Sequence, residues 1–215
     1  APVFTSSATF SAAENQTAIG TVTATDADGD SVTFTVSGSE LAITSAGVLT
    51  FASAPDYETK IRYTATVTAT DGTNSTTQAI TVNVTNVNDV APAFTSSATF
   101  SAAENQTAIG TVAASDVDGD NVTFTVSGSE LAITSAGVLT FASAPNYETK
   151  SSYTATVTAS DGTNSTTQSI TVNVTDVNEA PVFTSSATFS AAENQTAIDT
   201  VTATDVDGDN VTFTV

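Results

Sequence analysis

The sequence predicts an all-β fold: tandem seven-stranded Greek-key β-sandwich repeats in a linear array. Three observations carry that reading. Apolar residues recur at every second position, as in strands with one face on a core and the other in water. Turn-forming residues interrupt the pattern at short intervals. The block FTSSATFSAAENQTAI begins at Phe4, Phe94 and Phe183, at spacings of 90 and 89 residues. Solenoid periods run at about 20–50 residues, so this spacing marks an array of whole small domains.

Within one repeat the expected strands are 4–12, 17–25, 31–37, 41–44, 48–53, 62–70 and 76–87. The first ends at Glu14 in SAAENQ. The second runs up to the acidic stretch DADGD, and Asp-Gly ahead of a strand is a hairpin signal. In the third, Val32, Phe34 and Val36 alternate with Thr. The turn signals SG and AG bracket the fourth and open the fifth, and APDYE closes the fifth. In the sixth, Tyr63, Ala65, Val67 and Ala69 alternate with Thr64, Thr66, Thr68 and Thr70. After DGTN, Ile80, Val82, Val84 and Val87 keep a similar beat in the seventh. Thr suits the wet face because its β-branched side chain packs well on a pleat. Seven short strands in about 90 residues argue for two antiparallel sheets packed face to face. The domains expected are 1–90, 91–179 and a partial third at 180–215, whose three strands cannot close a sandwich alone. Either the chain continues beyond it, or strands of another chain complete it and build a head-to-tail filament.

Composition narrows the function. The 215 residues hold 23 Asp and Glu against 3 Lys and Arg, with no His, for a formal charge of −20. Such a surface repels nucleic acid and attracts cations. The absence of Cys removes disulfides and thiolate metal sites, and the absence of His removes the commonest general base. No apolar run reaches the roughly 20 residues of a membrane helix, and no signal peptide is present, so targeting information is expected elsewhere.

The acidic residues gather at strand ends. Asp26, Asp28 and Asp30 fall in DADGD, and the pattern returns at Asp116, Asp118, Asp120 and at Asp205, Asp207, Asp209. Taken alone, DADGD is a turn. The EF-hand reading fails, because that loop needs Gly at its sixth position and Glu at its twelfth. Gly29 sits fourth here and Ser37 twelfth. Yet Glu14, Asp56, Glu58, Asp71, Asn86, Asn88 and Asp89 also lie in loops or at strand ends, while the strand faces carry Thr. Clustered carboxylates repel unless neutralised, and hard divalent cations prefer carboxylates, amide oxygens and main-chain carbonyls.

The order AEN, DxDGD, DYE, TATDG and NVNDVAPAF resembles the cadherin repeat, over two full copies and the opening of a third. The Thr- and Ala-rich wording is similar to cadherin-like repeats in extender regions of large bacterial surface adhesins. The resemblance implies Ca²⁺ at each junction. At the first it implies Glu14, Asp56, Glu58, Asn86, Val87, Asn88, Asp89, Val90, Asp116, Asp118 and Asp161 as ligands, the two valines through their carbonyls. At the second it implies Glu104, Asn146, Glu148, Asp176, Asn178, Glu179, Asp205 and Asp207. Asp26, Asp28 and Asp71 form half a site awaiting an earlier repeat. The second linker, DVNEAPVF, is one residue shorter and has Glu179 for Asp, and Asn146 replaces a carboxylate. Fewer or weaker ions are therefore expected there. Asp30, Asp120 and Asp209 have no place in the family pattern and read as turn residues.

The resulting expectation is a calcium-stiffened extender or filament segment of an extracellular, cell-surface adhesion protein. Its partners are neighbouring repeats of its own chain and, in a filament, like chains. Neither nucleic acid binding nor membrane insertion is expected. The chief rival is direct binding of carbohydrate, ice or a like repeat through the Thr-rich faces. A plain acidic spacer would show no calcium response. No nucleophile with a base partner exists, so no enzyme is expected.

Overall fold

The computed structural model describes residues 1–215, and the chain divides into two compact units. One comprises Ala1–Val90 with Val117–Asp120, the other Ala91–Asp116 with Asn121–Val215.

In the first unit the strands are β1 (Val3–Phe4), β2 (Thr9–Ala13), β3 (Ala18–Thr21), β4 (Ala24–Thr25), β5 (Thr33–Val36), β6 (Leu41–Ile43), β7 (Val48–Phe51), β8 (Arg62–Thr70) and β9 (Ser75–Thr85). One sheet has the order β2-β9-β8-β5, the other β3-β7-β6, and β1 pairs with β4 alone. The expected strands 4–12 and 17–25 are thus each broken in two. Ser6 and Thr23 explain the breaks: Ser6 Oγ accepts the Thr23 amide, and the Thr5 and Ser6 amides converge on the Thr23 carbonyl. Both chains turn out of their sheets at that point.

The pairing is antiparallel except between β2 and β9, which run parallel from Thr9↔Thr81 to Ala13↔Thr85. That pair fixes Glu14, the next residue, beside the end of β9, where the Glu14 amide donates to Thr85 O at 3.2 Å. The core holds Val22, Phe34, Leu41, Leu49, Phe51, Val67, Ile80 and Val82. Phe34, Val67, Ile80 and Val82 come from the alternating positions read in the sequence. Gly47 (φ 87°) closes the turn between β6 and β7, and a Cβ there would meet Val22 O at 2.2 Å. Only glycine fits.

The second unit repeats the plan with β10 (Ala93–Phe94), β11 (Thr99–Ala103), β12 (Ala108–Thr111), β13 (Ala114–Ser115), β14 (Thr123–Val126), β15 (Leu131–Ile133), β16 (Val138–Phe141), β17 (Ser152–Ser160) and β18 (Ser165–Thr175). Its sheets are β11-β18-β17-β14 and β12-β16-β15, with the β10–β13 pair beside them. The unit also carries β19 (Val182–Phe183) paired with β20 (Ala203–Thr204). Of the three strands expected in the third copy, only this short ladder forms. The residues matching β2, β3 and β5 form no strand.

Candidate metal centres

The site in the first unit is built around a buried glutamate. Glu14 is 3% exposed and carries no cationic partner. Its Oε1 accepts the Val87 amide at 2.8 Å, and its Oε2 accepts the Tyr57 amide at 2.7 Å. One carboxylate therefore ties the 55–60 loop to the segment after β9. Asn15 follows with φ 62°, a left-handed conformation that Asn tolerates better than most residues. That turn aims its amide at Asp89 Oδ2, 2.5 Å away. Oxygens of Glu14, Glu58 and Asp89 lie within 4.8 Å of one another. They face a cavity of about 210 Å³ that Asp56 also lines.

Asp118, in the short segment belonging to this unit, completes the arrangement. Its Oδ2 accepts the Asp89 amide at 3.2 Å and the Val90 amide at 3.0 Å. Its carbonyl accepts Asn86 Nδ2 at 2.8 Å. Lost hydration and the nearby charges of Glu14 and Asp118 raise the Glu58 carboxyl above the ordinary carboxylate range.

Asp56 has a different job. It accepts Thr59 N at 3.1 Å and Thr59 Oγ1 at 2.9 Å, and these bonds hold its pKa below the usual value. It caps a turn. Asn146 accepts Thr149 N at 2.8 Å in the same way, so the substitution of Asn for Asp keeps the turn. Val87 and Val90 enter through their amides, which hold carboxylates in place. Asn88 is half-buried in the same segment.

At the other end of this unit, Asp26 Oδ1 accepts the Asp28 amide at 2.9 Å, and Asp71 Oδ1 accepts Thr73 N at 2.8 Å and Asn74 N at 2.6 Å. Oxygens of Asp26, Asp28 and Asp30 lie within 4.8 Å of one another. The α-ammonium of Ala1 sits 3.2 Å from Asp26 and 3.6 Å from Asp71, and Asp26 above all raises its pKa.

In the second unit, Glu104 (2% exposed) accepts Tyr147 N at 2.8 Å and Val177 N at 2.9 Å. Asn105 (φ 60°) donates its side-chain amide to Glu179. Two carboxylate trios form and share one member. Glu104, Glu148 and Glu179 make the first, and Glu148, Asp176 and Asp207 the second, each with its oxygens within 4.8 Å. Asp207 Oδ2 accepts the Glu179 amide at 2.7 Å. Asp207 Oδ1 and Glu179 Oε2 are shut off from solvent and accept no hydrogen bond. Burial first, then the surrounding carboxylates, raise the Asp176 and Glu179 carboxyls above the ordinary range. For Glu179 the Asn105 bond opposes part of that rise. Asp205 Oδ1 accepts the amides of Asp207 at 3.1 Å and Asp209 at 3.3 Å. Asp161 accepts Thr163 N at 2.7 Å and Asn164 N at 2.6 Å, and Asp116 lies half-buried near the start of its acidic loop.

Asp176 supplies a carboxylate where the first linker has Asn86. Sequence reasoning missed three residues. Asn15 and Asn105 orient the linker carboxylates; the available signal was that Asn follows Glu in every AEN copy. Asp209, read as a turn residue, accepts Asn178 Nδ2 at 2.5 Å.

The chain's own side-chain cations are placed elsewhere. Lys60 and Lys150 pair with Glu40 and Glu130 and lie over the rings of Tyr63 and Tyr153, 4.4 Å from each centroid. Clustered oxygens held by main-chain amides, with naked buried lone pairs and no cationic side chain, fit a hard divalent cation.

A family model described as "Bacterial Ig domain" matches residues 1–85 and 88–175. The chain belongs to the bacterial Ig domain family. Within that family its repeats have the cadherin-like fold. Mouse cadherin-23 EC22-24 superposes with a TM-score of 0.70 at 24% identity, over 95% of this chain and 78% of that one. Human protocadherin-24 EC1-2 gives 0.67 at 20% identity, over 82% and 98%. In sequence, the Drosophila melanogaster protocadherin-like wing polarity protein stan is 37% identical over 199 residues, 78% of this chain but 6% of that protein. Human protocadherin-15 is 33% identical over 218 residues, 89% and 11%. The bacterial Ig chain thus spans only a small fraction of these relatives. By name they are a protocadherin-like protein, a protocadherin and cadherins, and this chain shares their repeat fold. No helix long and apolar enough to cross a membrane is present.

Proposed function

We propose that this chain is a calcium-binding segment of an extracellular array, built from repeats 1–90, 91–179 and 180–215, in which bound Ca²⁺ stiffens the linkers into a rod-like extender of a cell-surface protein. The observation that carries the reading is Glu148, common to two carboxylate trios, beside the unbonded buried oxygens of Glu179 and Asp207. Without ions these groups repel one another. Ca²⁺ would take its oxygens from Glu104, Glu148, Asp176, Glu179 and Asp207 in the second unit and from Glu14, Glu58, Asp89 and Asp118 in the first. An ion that binds only the ordered linker stabilises it by mass action, by about 2.7 kcal/mol at a hundredfold excess over Kd.

The test compares thermal melts and small-angle scattering of the chain in chelator and in millimolar calcium, with calcium titration calorimetry. A raised melting temperature, a longer particle and binding heat that falls in Glu148→Gln support the reading. An unchanged melt and profile with no heat would sink it. A second reading would then stand on the outer sheet faces. There Thr9, Thr81 and Thr64 lie abreast in one unit and Thr99, Thr171 and Thr154 in the other, offering neutral hydroxyl rows to carbohydrate, ice or a like repeat.

A further inference from the structure

Five Asp-Gly pairs occur in the chain: 28–29, 71–72, 118–119, 161–162 and 207–208. Among aspartyl dipeptides Asp-Gly is the most open to succinimide chemistry, because glycine puts no side chain in the way of its own nitrogen. What separates the five is how each carboxylate is held. Asp71 and Asp161 each accept two main-chain amides, from Thr73 and Asn74 and from Thr163 and Asn164. Asp118 accepts the amides of Asp89 and Val90, and Asp207 that of Glu179. Such bonds fix the rotamer of the carboxylate and restrain its approach to the glycine nitrogen. The carboxylate of Asp28 accepts no hydrogen bond. It is exposed where the other four aspartates are half-buried, and the space beside Gly29, as beside the other four glycines, is open for 4 Å.

We propose that Asp28-Gly29 is the chain's site of spontaneous isoaspartate formation. The Gly29 nitrogen attacks Cγ of Asp28; the new C–N bond closes a five-membered imide as the C–O bond breaks, and the nitrogen's proton leaves with the hydroxyl as water. Water then returns to either carbonyl. Addition at Cγ restores aspartate, and addition at the α-carbonyl routes the main chain through the side chain. The mass is unchanged overall, and no oxidant or partner is consumed. Gly29 N donates to Asp26 O at 3.2 Å, a long bond that the reaction must break. The product carries its free carboxylate on the α-carbon, one methylene nearer the backbone, and so withdraws it from Asp26 and Asp30. The inference does not depend on calcium binding.

The full chain is aged at neutral pH in chelator, alone and in denaturing urea, and each Asp-Gly pair is then mapped by fragmentation mass spectrometry that separates aspartate from isoaspartate. In the native chain position 28 accumulates isoaspartate several-fold faster than the other four, in urea the five converge, and Asp28→Glu abolishes the signal. Native isoaspartate equally spread over the five, appearing first at an anchored aspartate, or absent from position 28 while the urea sample forms it there, would overturn the assignment.

Discussion

Glu104→Gln tests whether the buried glutamate is a structural tie as well as a candidate ligand. The side chain is 2% exposed, and each oxygen accepts one main-chain amide. Glutamine keeps the shape and one acceptor but turns an NH₂ toward the other amide. One buried donor then has no acceptor, which costs about 1–3 kcal/mol. Removing the negative charge works the other way, since Glu148 and Glu179 lie within 4.8 Å. Their mutual repulsion is felt only while no cation is present. In chelator the net loss should therefore sit at the low end, about 1 kcal/mol, or roughly 4–8 °C in the melt of a domain this size. In calcium the loss should grow, because a ligand goes as well. Calorimetric melts in both conditions measure the two losses, and hydrogen exchange at the Tyr147 and Val177 amides locates them. Glu148→Gln is the control, being exposed and bonded to no main-chain amide. If Glu104→Gln costs no more than Glu148→Gln in chelator, and both amides stay protected, the buried-tie argument is wrong.

Two more predictions concern pH and packing. Glu58, Asp176 and Glu179 have raised pKa values, so the fold penalises their charged forms: the penalty is full above the folded pKa and is relieved as pH falls through it toward the ordinary carboxylate value. Asp56 and Asp71 have lowered values, so their contribution is present above the ordinary value and is lost as pH falls through the folded one. Melts in chelator should thus rise on mild acidification and fall on stronger acidification, and a steady fall throughout would refute the carboxylate crowding. Gly137→Ala meets both a positive φ of 86° and Val112 O at 2.2 Å from the new Cβ, so it should cost at least about 1–3 kcal/mol by urea unfolding. Gly29→Ala, with φ 85° but open space, supplies the comparison for strain without the clash, and equal losses would refute that contribution.

The core was legible because period two survives in the chain order: Val67, Ala69, Ile80, Val82 and Val84 are buried as their alternation requires. The parallel β2–β9 pair was not, since periodicity fixes which face a residue takes and says nothing of which strand lies beside it. The breaks near Ser6 and Thr23 depend on a hydrogen bond across 17 residues, beyond the reach of local pattern. At the candidate metal centres, the carboxylates announced themselves by charge. Asn15, Asn105 and Asp209 did not, because their part rests on backbone conformation and on bonds to residues 31 or 74 positions away.

The parallel pairing of the first long strand with the last has a mechanical consequence. In each repeat these strands run the same way, so a pull on the chain's two ends drags β2 backward against a β9 drawn forward. The bonds between Thr9–Ala13 and Thr81–Thr85 lie across that motion and are loaded together, in shear, instead of being peeled one after another. The same holds for β11 against β18. Each sandwich therefore meets tension with its ladder side-on, and a tether made of such units would resist stretching at every repeat before any one of them gave way.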